Sequence, residues 1–316
     1  MSASLIIAHR GGDSGPENSL TAIAGAIAQG ADGVEIDIMR TADALVLYHD
    51  FQLTPRFTRR KDGRALGEDA MQGLTRAQLR ALDIFCPRAP HMRDEISDIN
   101  EFCRWAADHA PRRFQFFVEL KSRLMDADSA PIQRLAEESV AALKAHGLLP
   151  QTTLLSFDWR ILQHVRRRHP QVAIACTSLP FALTMPGGPS LYGKSKDWLG
   201  GELAARLQKA ARPQALWWGA AEPTRHRGAE HGEKMLRAMA AMGANAWCAP
   251  WQDITPARQE LAQELGLKIF AWPVDRFVSL RRLHARKLDA LITHSPALAR
   301  LSTGAGLNGS ALSLSA

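Results

Sequence analysis

The regular alternation of short apolar runs with amphipathic stretches is the feature that most constrains the fold of this chain. Eight apolar runs have the length of buried strands: 5–9, 34–39, 114–120, 152–156, 172–177, 245–249, 268–272 and 290–293. Helical periodicity falls between most of them: 19–29, 98–109, 132–146, 159–168, 230–242, 256–265 and 278–286. This order predicts a parallel sheet covered by helices, and eight strands in one domain predict an α/β fold of the (β/α)8 TIM-barrel type.

Two segments interrupt the alternation. Residues 51–94 are rich in Arg, Gly and Pro and contain one short helical pattern, so we predict a small insertion after the second strand. Residues 179–231 are also irregular, and the run 215–218 is a candidate ninth strand, which leaves the strand count open. We predict one barrel domain over residues 1–301 and a disordered tail of small and polar residues over 302–316.

The composition of the 316 residues, 46% hydrophobic and 22% charged, is typical of a soluble globular protein. No run approaches the roughly 20 apolar residues of a membrane span, and the first residues show no signal-peptide pattern. We therefore predict a cytoplasmic protein without stable membrane insertion. The four cysteines are far apart and show no metal-ligand spacing, so we interpret them as small core residues.

The net charge of +7 arises partly from two basic clusters, at 56–64 and 166–168. Such clusters either face solvent or attract anionic substrates and phospholipid head groups. Because no nucleic-acid-binding motif accompanies them, we predict a small-molecule partner and no nucleic acid. The sequence leaves the oligomeric state open.

Three carboxylates are predicted to point into the barrel. Side chains alternate between the faces of a strand, so Glu35 and Asp37 share the face opposite their apolar neighbours, and Glu119 and Lys121 do the same. The alternatives are an open sheet that exposes the first pair to water, and a structural Glu119–Lys121 ion pair. Three converging carboxylates form a hard oxygen site, which suits one Mg²⁺ or Ca²⁺ ion better than zinc.

Two histidines follow predicted strands beside these carboxylates. His9 ends the first strand, and His49 comes just after the hairpin-like run 44–47. Either one could be an ordinary packed or surface residue. Flanking a metal ion, the two imidazoles could act as general base and general acid.

Formal charges indicate the kind of substrate. One divalent cation, together with Arg10 and Lys121, outweighs the three carboxylates by a single positive charge. A phosphodiester carries one negative charge and would make the occupied site neutral. The metal ion and the basic groups would also stabilise the charge that develops on the phosphoryl group.

A series of short motifs resembles, in its order along the chain, the glycerophosphodiester phosphodiesterase family. The motifs are His9-Arg10-Gly11, Pro16-Glu17-Asn18, Glu35-x-Asp37, His49-Asp50, Glu119-Leu120-Lys121, Ser156-Phe157-Asp158, Trp272-Pro273-Val274-Asp275 and Ile292-Thr293. The resemblance implies a barrel with a small insertion. It implies a divalent metal on Glu35, Asp37 and Glu119, with His9 and His49 as the acid–base pair. It also implies phosphate contacts from Arg10 and Lys121, and a pocket for the alcohol lined by Trp272.

The activity implied by the resemblance is hydrolysis of glycerophosphodiesters to glycerol 3-phosphate and an alcohol, through a cyclic phosphate that water opens. One alternative is a phospholipase D-like or lysophospholipid phosphodiesterase that holds a lipid with its basic and tryptophan-rich segments. Trp198, Trp217 and Trp218 would contribute to lipid binding in that case, and otherwise they are packing residues. Another is a barrel that only binds phosphate compounds. Where the family commonly has Trp-Thr-Val-Asn and Thr-Asp, this chain has Trp272-Pro273-Val274-Asp275 and Thr293-His294. The leaving alcohol and the choice among Mg²⁺, Ca²⁺ and Mn²⁺ stay open.

Overall fold

A computed structural model describes residues 3–67, 69–122, 130–180 and 229–304. The strands in these ranges are β1 (Leu5–His9), β2 (Gly33–Arg40), β3 (Leu45–Leu47), β4 (Thr58–Arg60), β5 (Leu82–Cys86), β6 (Ala89–Asp94), β7 (Gln115–Leu120), β8 (Thr152–Ser156), β9 (Ala173–Thr177), β10 (Ala246–Pro250), β11 (Lys268–Trp272) and β12 (Ala290–Thr293). The α-helices are α1 (Leu20–Ala28), α2 (Arg76–Leu79), α3 (Ile99–His109), α4 (Ala130–Ala145), α5 (Trp159–Arg168), α6 (Ala229–Ala241), α7 (Pro256–Glu264), α8 (Phe277–Ala285) and α9 (Pro296–Thr303).

The main sheet has the strand order β1-β12-β11-β10-β9-β8-β7-β2-β3, and β1 also pairs with β2. Eight parallel strands therefore form a closed TIM barrel, and β3 adds an antiparallel partner to β2. The predicted fold is confirmed, and the eight predicted runs are the eight barrel strands. The candidate ninth strand at 215–218 lies outside the described residues, as does most of the irregular segment that contains it.

The chain divides into two compact units. The first comprises residues 1–121, 137–153 and 273–316 and contains β1 to β7 together with β12. Aliphatic side chains such as Ile7 and Ile36 have no exposed surface there. Along β2, Val34, Ile36 and Ile38 alternate with Glu35 and Asp37, which gives this strand one apolar face, as the sequence pattern predicts.

The second unit comprises residues 122–136 and 154–272. In the described part of this unit, the buried Trp159 has an acceptor for its polar atom. The indole N–H of Trp159, at the start of α5, donates to the carbonyl oxygen of Thr177 at 3.0 Å. A buried tryptophan that finds such an acceptor adds apolar area without an unpaired donor.

Most helix ends follow local sequence signals. Asp98 caps α3 by accepting the N–H of Glu101, whose side chain accepts the N–H of Asp98 in return. Thr255 caps α7 directly before Pro256. The predicted boundaries of the seven proposed helices lie within two residues of those observed.

Helix α9 was not predicted. Ser295-Pro296 stands at its start and is the same kind of start signal as Thr255-Pro256 at α7, although the side chain of Ser295 makes no capping hydrogen bond. Ser302 and Thr303, which the sequence placed in the tail, are the last residues of α9, and their hydroxyls donate to backbone carbonyls within the helix. Residues 305–316 lie outside the described chain, so the disordered tail stays a prediction.

The segment 51–94 contains a separate antiparallel sheet with the order β4-β5-β6. An apolar cluster, which we call the insertion core, joins it to β2 and β3; its members are Met39, Val46, Tyr48, Leu53, Met71, Leu74, Leu79, Leu82, Ile84 and Ile96. The Tyr48 hydroxyl is hydrogen-bonded to Thr58 Oγ1 at 2.9 Å. The insertion is therefore fixed to the residue that precedes His49.

The basic cluster at 56–64 contains several ion pairs with nearby acids. Arg60 lies 2.7 Å from Asp62, and Lys61 lies 2.5 Å from Glu95. These pairs favour the interpretation of this cluster as solvent-facing surface rather than as an anion-binding site.

Other expectations from composition are met to different degrees. Cys103, Cys176 and Cys248 are buried, Cys86 is half-buried, and all four are free thiols. Within the described ranges, no helix combines the length and the apolar character needed to cross a membrane. The cytoplasmic location stays a prediction.

Candidate active site

The predicted site residues on β1, β2 and β7 lie at neighbouring positions of the sheet. His9 is in register with Glu35, and Asp37 is in register with Glu119. Glu35 and Asp37 are only 4% and 1% exposed, which excludes the alternative in which water solvates them. One carboxylate oxygen from each of Glu35, Asp37 and Glu119 lies within 4.8 Å of the others. These three residues, which we call the carboxylate group, could hold a metal ion.

The turn after β1 directs Arg10 toward the carboxylate group. Arg10, Gly11 and Gly12 have φ values of 51°, 90° and 86°, a sequence of left-handed conformations that glycine adopts easily. The backbone N–H of Arg10 donates to Glu35 Oε2 at 3.1 Å, and Arg10 Nε lies 3.4 Å from Asp37 Oδ2. The His9-Arg10-Gly11 motif thus places both a backbone donor and a guanidinium at the carboxylates.

Gly11 is required for this turn by both its conformation and its surroundings. A Cβ at Gly11 would lie 2.7 Å from Ala22 Cβ, whereas Gly63 has a similar φ of +74° and no atom within 4 Å of such a Cβ. We expect Gly11→Ala to lower the free energy of unfolding by about 2–4 kcal/mol, from strain plus overpacking, and Gly63→Ala by only about 1 kcal/mol, from strain alone. Urea denaturation measures both. Equal losses of unfolding free energy in the two variants would show that the close contact with Ala22 does not destabilise Gly11→Ala.

Asn18 holds Asp37 through two reciprocal hydrogen bonds. Asn18 Nδ2 donates to Asp37 Oδ2, and the backbone N–H of Asp37 donates to Asn18 Oδ1, both at 2.9 Å. Asn18 itself has a φ of 59°, a conformation in which asparagine is enriched, and its N–H donates to the carbonyl oxygen of Arg10 at 2.8 Å. Sequence reasoning noted Asn18 within a motif but assigned it no role.

Two cations lie against the three carboxylates. Lys121 Nζ lies 2.8 Å from Glu119 Oε1 and 3.5 Å from Asp37 Oδ1. Arg10 divides its guanidinium between Asp37 and Glu17, with Nη1 3.1 Å from Glu17 Oε2. The predicted Glu119–Lys121 ion pair is therefore present, but it does not account for Glu35.

The environment separates the pKa values of neighbouring carboxyls. Burial, followed by the charges of Asp37 and Glu119, raises the pKa of Glu35 well above its usual range. Burial alone would also raise the pKa of Asp37, but Lys121, His49 and Arg10 hold it well below its usual range. Asp37 is consequently ionised, while Glu35 holds a proton more tightly unless a further positive charge is present.

His49 is held in place by hydrogen bonds of the preceding residue, Tyr48, and the following residue, Asp50. The N–H of Tyr48 donates to the carbonyl oxygen of Asp37 at 3.2 Å, and His49 Nδ1 lies 2.6 Å from Asp50 Oδ1. Burial acts to raise the pKa of Asp50, but its hydrogen bond with His49 holds the pKa below its usual value. The ionised Asp50 carboxylate therefore accepts a hydrogen bond from His49 Nδ1–H, which fixes the orientation of the ring.

His9 contacts a third histidine. His9 Nε2 lies 3.7 Å from Glu35 Oε2, and His9 Nδ1 lies 2.8 Å from Nε2 of His294. The two rings meet edge to face, with centroids 4.4 Å apart. Burial first, and then the charges of Arg10 and His294, lower the pKa of His9 well below its usual value. A neutral His9 at pH 7 can accept a proton.

Trp272 belongs to the second unit, whereas the other predicted site residues belong to the first. Its indole N–H donates to the carbonyl oxygen of Cys248 at 3.2 Å, and its ring packs edge to face against Phe157. Its predicted place in the substrate pocket stays a prediction.

Comparison with known proteins identifies the family. The chain matches the model of the glycerophosphoryl diester phosphodiesterase family over residues 9–298. The chain belongs to this family. A relative described as glycerophosphodiester phosphodiesterase, from Caldanaerobacter subterraneus subsp. tengcongensis, is 24% identical over 297 residues, 92% of this chain and 94% of that protein. Glycerophosphodiester phosphodiesterase 1 of Mus musculus is 30% identical over 186 residues, 57% of this chain and 51% of that protein.

Solved structures share the fold. A putative glycerophosphoryl diester phosphodiesterase from Silicibacter pomeroyi has a TM-score of 0.74 and 23% identity, over 95% of this chain and 93% of that chain. A phosphodiesterase from Oleispira antarctica, solved with the product sn-glycerol-3-phosphate, has a TM-score of 0.66 and 18% identity, over 95% of this chain and 96% of that chain.

The part of the chain that matches the glycerophosphoryl diester phosphodiesterase family contains every predicted site residue: His9, Arg10, Glu35, Asp37, His49, Glu119, Lys121 and Trp272. It also contains Asp275 and His294, which sequence analysis noted only as departures from the family pattern. The contact of His294 with His9, and that of Asp275 with His294, were missed because His294 and Asp275 are distant from His9 in sequence. The available signal was the position of His294 directly after β12, at the end of a barrel strand where catalytic residues gather.

Proposed function

We propose that this protein hydrolyses glycerophosphodiesters to glycerol 3-phosphate and an alcohol, with one divalent cation as cofactor. The observation that carries the proposal is the carboxylate group of buried Glu35 and Asp37 and half-buried Glu119, in a member of this family. His9 lies on one side of this group, and Arg10 and Lys121 lie against it. The presence of sn-glycerol-3-phosphate as product in the Oleispira antarctica relative supports the same reaction here.

The carboxylate group fits a divalent cation by donor chemistry and by charge. Carboxylate oxygens are hard ligands that suit Mg²⁺ or Ca²⁺. Two cationic side chains leave one of the three negative charges uncompensated, and the raised pKa of Glu35 is consistent with that deficit. Held by Glu35, Asp37 and Glu119, the cation would supply positive charge to stabilise the negative charge that develops on the phosphoryl oxygens.

His9 and His49 are the proposed acid–base pair. One histidine takes the proton from the glycerol hydroxyl next to the phosphoester as that oxygen bonds to phosphorus. The other donates a proton to the alcohol oxygen as its bond to phosphorus breaks, which leaves a cyclic phosphate. Water then opens the ring with the two roles exchanged, and each histidine regains its starting state.

Arg10 and Lys121 are the proposed phosphate contacts. Arg10 Nε is buried and has no hydrogen-bond acceptor among the described residues, although Asp37 lies nearby. A guanidinium with an unused donor suits a phosphate oxygen. Trp272 is the proposed contact for the alcohol.

The proposed metal site makes a prediction about stability. The pKa of Glu35 in the folded protein lies above its value of about 4.3 in the unfolded chain. Protonation of Glu35 therefore adds to the free energy of unfolding in full below about pH 4.3, and this gain is lost as the pH rises through the folded pKa. We therefore expect Glu35→Gln to stabilise the chelator-treated protein at pH 8 and not at pH 4, as measured by urea denaturation. The exposed Glu260→Gln is the control and should show no such pH dependence.

Adding Mg²⁺, Ca²⁺ or Mn²⁺ at pH 8 should make the wild type more stable than the Glu35→Gln variant. A cation that binds only the folded state stabilises it by an amount that grows with the logarithm of its affinity. The wild type should gain more stability than the Glu35→Gln variant. Equal gains in the two proteins would count against Glu35 as a ligand.

The activity is tested by a phosphodiester panel. The purified protein is incubated with glycerophosphocholine, lysophosphatidylcholine and a diester that lacks glycerol, in EDTA and then with each cation restored. We expect release of glycerol 3-phosphate from glycerophosphocholine that EDTA abolishes and a cation restores. Preference for lysophosphatidylcholine would favour the lipid-directed alternative, and turnover undiminished in EDTA would contradict the metal role.

A further inference from the structure

Asp275, His294 and His9 form a continuous row of hydrogen bonds that ends at the proposed acid–base centre. His294 Nδ1 lies 2.9 Å from Asp275 Oδ2, and His294 Nε2 lies 2.8 Å from His9 Nδ1. All three residues belong to the first compact unit of the chain. The row reaches from a partly exposed carboxylate, 42% exposed, to a His9 side chain that is 14% exposed.

Asp275 is held in place by donors on and beside β12. The backbone N–H of His294 and the hydroxyl of Thr293 both donate to Asp275 Oδ1, at 2.8 and 3.2 Å. These two bonds occupy one carboxylate oxygen and direct the other, Oδ2, toward the His294 ring. Asp275 is thereby an acceptor in a fixed orientation.

The row dictates where the protons lie on both rings. An ionised carboxylate can only accept, so His294 Nδ1 carries a proton and donates it to Asp275. In a neutral His294 the other nitrogen, Nε2, is then an acceptor. His9 Nδ1 must therefore be the donor in the bond between the histidines, and Nε2 of a neutral His9 carries the lone pair.

We propose that His294, oriented by Asp275, is a positioning residue that keeps His9 in the tautomer with its proton on Nδ1 and its lone pair on Nε2, on the side of Glu35. The catalytic consequence rests on the proposed function, in which His9 exchanges protons with the substrate. In this tautomer Nε2 accepts a proton directly. The resulting imidazolium still donates its Nδ1 proton to His294, and the Asp275 carboxylate at the end of the row stabilises its charge.

Substitutions at position 294 separate positioning from simple packing. Glutamine can accept the His9 Nδ1 proton with its amide oxygen and donate to Asp275 with its amide nitrogen, whereas leucine can do neither. We expect His294→Leu to lower kcat by about 10- to 100-fold with KM within about twofold, as for lost orienting partners of active-site groups. His294→Gln should recover most of that loss. His91→Leu, at an exposed position on β6, is the control and should leave the activity unchanged.

The tautomer itself is measured by ¹⁵N NMR of histidine-labelled protein at pH 8, with the His9 signals assigned from the His9→Gln variant. In the wild type we expect a protonated Nδ1 and an unprotonated Nε2 for His9, and the same pattern in His294→Gln. In His294→Leu that pattern should be lost. A His9 tautomer that is unchanged in His294→Leu, or a His294→Gln variant as impaired as His294→Leu, would overturn the proposal.

The NMR result does not depend on the reaction. If His9→Gln leaves diesterase activity unchanged while His294→Leu changes the His9 tautomer, the positioning role stands and the acid–base assignment fails. If His9→Gln abolishes activity while His294→Leu changes neither tautomer nor kcat, the positioning role fails and the proposed function stands.

Discussion

We expect replacement of either His9 or His49 with alanine to lower kcat for glycerophosphocholine hydrolysis by about 100- to 10,000-fold, the usual range for losing a positioned acid or base. Both rings are largely buried, each is hydrogen-bonded through Nδ1, and His9 Nε2 lies 3.7 Å from Glu35. Steady-state kinetics on the folded variants measures the effect. His91→Ala, an exposed histidine on β6, is the matched control and should retain full activity.

A second substrate distinguishes the acid from the base in the same two variants. A glycerophosphodiester whose leaving group is p-nitrophenol needs no protonation of that group, because its anion is stable. The variant that lacks the general acid should lose much less activity on this substrate than on glycerophosphocholine, whereas the variant that lacks the base should lose as much on both. Variants that both retain wild-type kcat on glycerophosphocholine would contradict the acid–base pair.

Loss of a ligand from the carboxylate group is the second large effect we expect. Glu119→Gln keeps the shape of the side chain but removes a negative charge beside Lys121 and Asp37. Metal ions contribute several kcal/mol of transition-state stabilisation, so kcat/KM at a fixed low cation concentration should fall by about 1,000-fold. Part of the loss should be recovered at high cation concentration, because the change weakens binding of the cation before it removes the chemistry.

The control for this variant is Glu260→Gln, which makes the same substitution at an exposed position on α7. Lys121 provides a second check, because the proposal assigns it to the phosphate and not to the metal. Lys121→Met should raise KM and lower kcat without raising the cation concentration for half-maximal activity, because it removes a positive charge beside Glu119 and Asp37. Lys144→Met, on exposed surface of α4, should change nothing. A Glu119→Gln variant with the wild-type cation dependence would exclude Glu119 as a ligand.

Strand periodicity was sufficient to predict the carboxylate group and its burial. Glu35 and Asp37 differ by two residues in a strand whose other face is aliphatic, so their common direction follows from the period of a β-strand alone. Their alignment with Glu119 follows from parallel pairing of neighbouring barrel strands, which the strand–helix alternation predicts. Formal charges in the sequence also supplied the argument for the proposed cation at this group.

The side-chain contacts made by residues in turns and at strand ends could not be predicted from strand periodicity. The contacts of Arg10 depend on positive φ values after β1, and those of Asn18 depend on a further left-handed residue. His294 is far from His9 in sequence, and periodicity contains no information about which residues meet across a closed barrel. His294, which sequence analysis noted only as a departure from the family pattern, is therefore a residue whose proposed role rests on contacts seen in the structure.

The central claim is that Glu35, Asp37 and Glu119 together hold one divalent cation, and isothermal titration calorimetry of the chelator-treated protein with Mg²⁺, Ca²⁺ and Mn²⁺ tests it most directly. The account predicts one cation bound per chain by the wild type and by Glu260→Gln, and at least a 100-fold weaker affinity for Asp37→Asn and Glu119→Gln. Undiminished binding in those two variants, or no binding by a wild type that is active in chelator, would contradict it.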